Sequence, residues 1–149
     1  MKAKILILFV IAIITNSCNK GLYTDKPQLF FKSVNTTVLK LNDILSFSIE
    51  FTDAQGDVQN LLWIQKVTKN CALSNSIDSF PIPAFPTSKN LKGQFDISLA
   101  YGSNLGYPSI KEPKCGNQND TCVFKFWARD LAGHVSDTLS GPTIIMIHR

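Results

Sequence analysis

The chain has 149 residues, with 15 Lys and Arg against 11 Asp and Glu and a formal net charge of +4. This excess is too small to favour nucleic acid as a partner. Abundant Phe, scattered Pro, Ser, Thr and Asn, and the lack of helix-favouring runs indicate an all-β domain with long loops.

The first 17 residues have the three-part layout of a secretory signal peptide. Lys2 and Lys4 form a short basic region, an unbroken apolar run covers residues 5–14, and small or polar residues follow. The apolar run is about half of the roughly 20 residues that a membrane-spanning helix needs. We therefore predict that residues 1–17 are a signal peptide.

Cys18 directly follows this leader, which resembles the lipobox of bacterial lipoproteins. Thr15 stands where the usual box has an aliphatic residue, and lipoproteins of the Bacteroidota tolerate such loose boxes. The resemblance implies that Cys18 carries diacylglycerol on sulfur, becomes residue one and is acylated on nitrogen by chains such as palmitate. Several acyl chains anchor a protein stably. We expect an outer-membrane lipoprotein that faces either the periplasm or the outside.

Residues 18–27 are polar or structure-breaking apart from Leu22 and Tyr23, and they predict a flexible tether. Residues 28–149 remain for one folded domain, and this length is enough for a core of ordinary size.

Alternation of apolar and polar residues predicts about seven strands in this domain. The clearest example covers residues 43–52, where every second side chain is apolar. The other predicted strands cover residues 28–34 with a continuation over 35–41, 58–69, 93–100, 121–130, and a last strand over 135–139 and 143–147. Three prolines allow only an irregular or edge piece within 71–90, and Gly141-Pro142 predicts a kink or bulge in the last strand.

Two segments look like copies of each other. Residues 53–58 and 130–135 both read Asp-x-x-Gly-polar-Val, and each follows an alternating run. Asp accepts hydrogen bonds from the amides of its own turn, and Gly adopts positive φ without steric cost. We interpret both segments as turns between neighbouring strands.

The predicted strand order resembles an immunoglobulin-like antiparallel β-sandwich. Residues 43–52 then correspond to strand B, 58–69 to strand C with Trp63 buried, 121–130 to strand F and 135–147 to strand G. The B–C and F–G loops of that fold lie at one end, which implies that the two turns are spatial neighbours. The loose lipobox, the Asp-x-x-Gly-Asp turn and the closing Asp-x-x-Gly-x-x-Ser-Asp-Thr segment also resemble small uncharacterised Bacteroidota lipoproteins.

Four carboxylates in or near the turns are candidate ligands of a cation: Asp53, Asp57, Asp130 and Asp137. Ca²⁺ takes six to eight oxygen ligands, which clustered loop carboxylates supply. The alternative is that the first Asp of each turn only bonds its own turn. We favour this alternative and expect no cofactor, because His134 replaces Asp57 in the second copy and His is a poor Ca²⁺ ligand.

Three cysteines remain once Cys18 is acylated, and an exported chain meets oxidising conditions. An odd number leaves one thiol unpaired. We favour a disulfide between Cys115 and Cys122, which would close a small loop, and Cys71 competes as the partner of either. The sequence lacks Cys-x-x-Cys and has two His, so a zinc site is not indicated.

Signals for catalysis are weak. The sequence has no Gly-x-Ser-x-Gly elbow and no Gly-rich phosphate loop. A hydrolase would need a cleft that brings His134 next to a Ser, with Asp130 or Asp137 as the third member. We therefore predict that the protein is not an enzyme.

Loop aromatics are the remaining candidates for binding. Tyr101 and Tyr107 are predicted to contact a glycan or protein partner, whereas Phe80 and Phe85 are expected to fill the core. We predict a lipid-anchored, non-enzymatic binding or accessory module of the cell envelope, whose partner is a glycan or an envelope protein. The alternative is a Ca²⁺-stabilised adhesion or carbohydrate-binding module.

Overall fold

The computed structural model describes residues 21–102 and 106–148, so the predicted signal peptide and Cys18 lie outside the described residues. In the described part, nine β-strands form two packed sheets, accompanied by one short 3-10 turn at Ala72–Ser74. None of the helical structure in these ranges is long and apolar enough to cross a membrane. The predicted all-β sandwich is confirmed.

The strands follow the predicted alternation closely. They are β1 (Gln28–Val34), β2 (Val38–Leu39), β3 (Ile44–Asp53), β4 (Leu61–Thr68), β5 (Ser76–Pro81), β6 (Leu91–Tyr101), β7 (Ser109–Ile110), β8 (Asp120–Arg129) and β9 (Leu139–Met146). One sheet has the order β1-β3-β6-β7 and the other β2-β9-β8-β4-β5. The short β2 and β7 pair in parallel with β9 and β6, so the sheets are mixed rather than purely antiparallel as expected.

Two buried clusters fill the space between the sheets. In the larger one, the Phe47 ring centroid lies 5.3 Å from that of Phe124 and 5.0 Å from that of Phe126. The smaller one includes Phe51 and Val58. Fully burying such a side chain contributes about 1.5–3 kcal/mol, so these inward faces hold the sandwich together.

The last strand has the predicted bulge but begins later than predicted. Val123 pairs with Thr143 and Lys125 with Ser140, so β9 has one extra residue opposite β8 and continues through Gly141-Pro142 as a bulge. Residues 135–138, predicted to be strand, contribute only an isolated bridge from Val135.

Part of the predicted tether is attached to the sandwich. The Thr52 hydroxyl donates to the Leu22 carbonyl at 2.6 Å, and the Ala54 amide donates to the Thr24 carbonyl at 3.0 Å. Residues 22–24 therefore lie against the end of β3 instead of forming a free linker.

Candidate functional site

The two Asp-x-x-Gly turns meet at one end of the sandwich, as predicted. The Leu131 amide donates to the Asp57 carbonyl at 2.9 Å, and the Ala132 amide donates to Asp57 Oδ2 at 3.2 Å. The Asn60 side-chain amide donates to the Asp130 carbonyl at 2.9 Å. We call this end the turn pole, formed by residues 53–60 and 130–137.

Each turn is organised by its own first Asp. Asp53 Oδ1 accepts hydrogen bonds from the amides of Gly56 and Asp57. Asp130 Oδ1 accepts from the His134 amide at 2.7 Å. The predicted role of these two carboxylates in bonding their own turns is confirmed.

In addition to forming these bonds, three carboxylates lie close together at the turn pole. One oxygen from each of Asp53, Asp57 and Asp130 lies within 4.8 Å of the others. Asp53 is fully buried, and its Oδ2, like the buried Asp57 Oδ1, accepts no hydrogen bond from any described residue. Burial raises the pKa of Asp53, because the charged form loses hydration. A proton or a bound cation would satisfy the open oxygens.

His134 is hydrogen-bonded to one carboxylate of this cluster. Its Nδ1 lies 2.8 Å from Asp130 Oδ2, and this hydrogen bond raises the pKa of His134. The imidazole is partly exposed, whereas the Asp130 carboxylate is fully buried. When it is protonated, His134 therefore balances the charge of the Asp130 carboxylate.

Asp137 does not join the cluster, so its prediction as a fourth ligand is wrong. Its side chain is 90% exposed, and its Oδ1 accepts a hydrogen bond from Lys26 Nζ at 2.8 Å. The reason is that Ser136 takes the inward position, where its hydroxyl accepts from the Ala128 amide at 3.0 Å. The next side chain in the extended segment then faces solvent.

The cysteine pairing also differs from the favoured prediction. A disulfide joins Cys71 to Cys115, the competing pair, and Cys122 is the free cysteine of the described residues. Cys122 has the inward parity of Phe124 on β8 and lies fully buried in the core, away from the surface loop that carries Cys115. Burial raises the pKa of the Cys122 thiol to about 12, so this thiol is chemically inert at neutral pH.

A buried ion pair was missed in the sequence analysis. Lys66 Nζ lies 3.3 Å from Asp120 Oδ2 and donates to the Lys111 carbonyl at 2.9 Å, and both charged side chains are buried. Lys66 alternates in phase with Leu62 and Ile64 of β4, which face inward. The sequence alone did not signal this, because Leu61, Trp63 and Val67 make the opposite face equally apolar.

The two tyrosines predicted to lie in loops differ in solvent exposure. Tyr101 is fully buried at the end of β6, in phase with the inward-facing Leu99, and its hydroxyl donates to the Ile147 carbonyl at 3.0 Å. Its predicted binding role is wrong, because β6 continues one residue further than expected. Tyr107 is 48% exposed, and its binding role stays a prediction. The predicted packing of Phe80 and Phe85 against the core is confirmed.

Both tryptophans lie on the outer face of the five-stranded sheet. Trp63 of β4 pairs directly with Trp127 of β8, with parallel rings whose centroids are 6.2 Å apart. The Arg129 guanidinium carbon lies 5.3 Å from the Trp63 ring centroid, within cation–π range. The immunoglobulin resemblance implied that Trp63 is buried between the sheets, and this is wrong. Its neighbours Leu62 and Ile64 occupy the inward positions instead.

No protein-family model matches the chain, and no curated protein matches its sequence. Among solved structures, the chain is similar to Spo0M, a sporulation control protein from Bacillus subtilis, with a TM-score of 0.47 and 6% sequence identity. The alignment covers 85% of this chain and 51% of that one, so the chain spans about half the length of the solved structure it matches.

Proposed function

We propose that the chain is a lipid-anchored, non-enzymatic binding or accessory module of the bacterial cell envelope, related to small Bacteroidota lipoproteins. The observation that carries this proposal is the position of Cys18 in the sequence, directly after an apolar leader and shortly before the first residue that is hydrogen-bonded to the sandwich. Leu22, only four residues later, already accepts a hydrogen bond from Thr52. An acylated Cys18 would hold the sandwich close to the membrane surface.

The sheet orders support an immunoglobulin-like classification within this proposal. β3, in the place of strand B, lies in one sheet, whereas β4, β8 and β9, in the places of strands C, F and G, lie together in the other. The β3–β4 and β8–β9 connections meet at the turn pole, which is the relation expected of the B–C and F–G loops.

The bonds around His134 support a non-enzymatic role. His134 Nδ1 is bonded to Asp130, and the hydroxyl of the neighbouring Ser136 accepts from the Ala128 amide and donates to the Asp137 carbonyl. The His134–Asp130 bond is one that a Ser-His-Asp triad also has, but a hydrolase would need a Ser hydroxyl bonded to the imidazole, and the Ser136 hydroxyl is bonded to the backbone instead.

Metabolic labelling with an alkyne analogue of palmitate tests the anchor. We expect label on the wild-type chain in the membrane fraction and none on a Cys18→Ala variant. Cys122→Ala is the matched control, because it removes the free thiol of the described residues and should keep the label. Equal labelling of the wild type and Cys18→Ala would refute the proposal.

A second proposal is that Ca²⁺ stabilises this module at the turn pole. It is favoured by the two buried oxygens, Asp53 Oδ2 and Asp57 Oδ1, that have no hydrogen-bond partner in the described part of the chain. One carboxylate oxygen of each of Asp53, Asp57 and Asp130 lies within 4.8 Å of the other two. Backbone carbonyls and water would complete the six to eight oxygen ligands that Ca²⁺ prefers.

Calorimetric titration of the full chain in detergent tests this second proposal. We expect Ca²⁺ to bind with a Kd of about 10⁻⁴ to 10⁻³ M, the range of extracellular modules. Asp57→Asn should weaken binding at least tenfold, roughly 1.4 kcal/mol. Asp137→Asn, at the same pole but outside the cluster, should leave binding unchanged. No binding heat at millimolar Ca²⁺ excludes the site.

For a glycan or protein partner, we propose the outer face of the five-stranded sheet as the contact surface. The parallel rings of Trp63 and Trp127 are partly exposed there, beside the Arg129 cation. Aromatic faces of this kind bury large area at low entropy cost and stack on sugar rings. A glycan array, run with and without Ca²⁺, should give a signal that Trp127→Ala abolishes, and an unchanged signal would exclude this surface.

A further inference from the structure

We infer that the turn pole is the face of the sandwich that contacts the membrane holding the anchor at Cys18. This inference rests on the proposed lipid anchor, and it adds an orientation and the residues that touch lipid. Three observations lead to it: where the chain enters the sandwich, which apolar side chains are exposed there, and how the charges of the pole are balanced.

The chain enters the sandwich at this pole. Gln28 at the start of β1 is paired with Thr52, near the end of β3, and the residues before it continue beyond that end. The Ala54 amide, just past β3, donates to the Thr24 carbonyl. An extended chain spans at most about 3.6 Å per residue, so Cys18 lies within about 14 Å of Leu22. A lipid at Cys18 is thus held next to the turn pole.

Apolar side chains are exposed at the same pole. Leu131 is 61% exposed and Val135 is 41% exposed, on either side of the tip of the second turn, and Leu22 is 40% exposed on the entering segment. Single exposed apolar residues are ordinary on a protein surface. Three of them beside an acyl anchor match the apolar contact that peripheral proteins make with the acyl boundary of a bilayer.

The charges of the pole are compatible with lipid headgroups. Lys26 Nζ lies 2.8 Å from Asp137 Oδ1, so these two exposed charges balance each other. The Asp53 and Asp130 carboxylates are buried and do not face the headgroups.

Depth measurement on the full lipidated chain in phosphatidylethanolamine–phosphatidylglycerol vesicles tests the orientation. Leu131→Cys introduces an accessible thiol for an environment-sensitive fluorophore, since Cys122 is buried and Cys71 is bonded to Cys115. The matched control is Tyr107→Cys at the other end of the sandwich. The carbonyl of Pro108, the residue after Tyr107, accepts a hydrogen bond from the Ala100 amide. Ala100 pairs with Ile44, the first residue of β3, which lies about 30 Å along the strand from the last residue, Asp53.

We expect spin-labelled lipids to quench the fluorophore at position 131 at least threefold more than at position 107. Flotation of the vesicles reports the anchor separately. A chain that does not float refutes the anchor and the inference with it. A chain that floats but shows equal quenching at both positions, or more at 107, overturns the orientation alone. Hydrogen exchange of the unsubstituted chain gives a second measure, since the amides of 131–134 should exchange more slowly in vesicles than in detergent and those of Tyr107 and Ser109 should not.

Discussion

Asp57 and Ala132 are hydrogen-bonded across 75 residues of sequence, with the Ala132 amide donating to Asp57 Oδ2 at 3.2 Å. The preceding amide, of Leu131, donates to the Asp57 carbonyl, so one residue ties the second turn to the first through side chain and backbone. The remaining oxygen, Asp57 Oδ1, is buried without a partner among residues 21–102 and 106–148. Asp57 therefore both joins the turns and carries an open carboxylate oxygen, and its carboxylate clusters with those of Asp53 and Asp130.

Substitution of Asp57 separates these two roles. Asp57→Ala removes the acceptor of the Ala132 amide and should lower the free energy of unfolding by about 1–2 kcal/mol in EGTA. Asp57→Asn keeps an acceptor there, so we expect a smaller loss in EGTA but no gain in stability on adding millimolar Ca²⁺. Urea unfolding followed by tryptophan fluorescence measures both. If Ca²⁺ stabilises Asp57→Asn as much as it stabilises the wild type, the proposed Ca²⁺ site is contradicted.

The contribution of Asp53 to the free energy of unfolding should change with pH in the opposite direction to that of an ordinary surface carboxylate. Burial raises its pKa in the folded state, so the folded chain holds the proton more tightly than the unfolded chain. This contribution to stability is present below the unfolded pKa of about 3.9 and is lost as pH rises through the folded pKa. In EGTA at pH 7, Asp53→Asn should therefore be at least as stable as wild type.

The stability of Asp53→Asn relative to wild type should depend on pH and on Ca²⁺. Its advantage should shrink toward pH 4 and reverse in millimolar Ca²⁺, where the wild-type carboxylate binds the cation. Thermal unfolding at pH 4 and pH 7 with and without Ca²⁺ measures it. A large loss of stability for the variant in EGTA at pH 7 would show that the charge of Asp53 is needed without a cation.

His134 should stabilise the fold mainly at low pH. Its hydrogen bond to Asp130 raises the pKa of the imidazole, so the contribution is fully present below the unfolded pKa of about 6.5 and is lost as pH rises through the folded pKa. The difference in stability between wild type and His134→Asn should be larger at pH 5.5 than at pH 8.5. Because the imidazole is partly exposed, 1 M salt should reduce that difference. A difference that is constant with pH argues against the charged pair.

The sequence predicted the strands well because burial between two sheets imposes a period of two. For β6, the same rule applied one residue further would have placed Tyr101 inside. It did not place Lys66 inside and Trp63 outside, because both faces of β4 carry apolar side chains and alternation alone does not say which face meets the core. The meeting of the two turns was predictable only through a resemblance in strand order. Nothing in the sequence signalled that Ser136 would take the inward position and turn Asp137 to solvent, because that depends on the bond of Ser136 to a neighbouring strand.

The disulfide offers a test that does not depend on function. Cys71 and Cys115 are separated by 44 residues, and closing a loop of this length in the unfolded chain stabilises the fold by about 4 kcal/mol in the chain-entropy model. Cys71→Ser with Cys115→Ser should lose stability of that order, and Cys122→Ala should lose less and keep the bond. Non-reducing peptide mapping should recover a peptide joining 71 and 115. A peptide joining 115 and 122 would contradict the structure.

The buried pair of Lys66 and Asp120 should behave unlike the ion pairs at the surface. Lys66→Met leaves the Asp120 carboxylate buried without its counter-charge, so we expect a loss of about 3–5 kcal/mol in the free energy of unfolding. Adding Asp120→Asn removes that charge and should recover part of the loss. Lys92→Met breaks the half-exposed pair with Glu50 and should change stability by no more than about 1 kcal/mol. Urea unfolding of the wild type, Lys66→Met, Asp120→Asn and the double variant completes a double-mutant cycle, and Lys92→Met is the surface control. A double variant no more stable than Lys66→Met would mean that packing of the Lys66 side chain, rather than the paired charge, accounts for the loss.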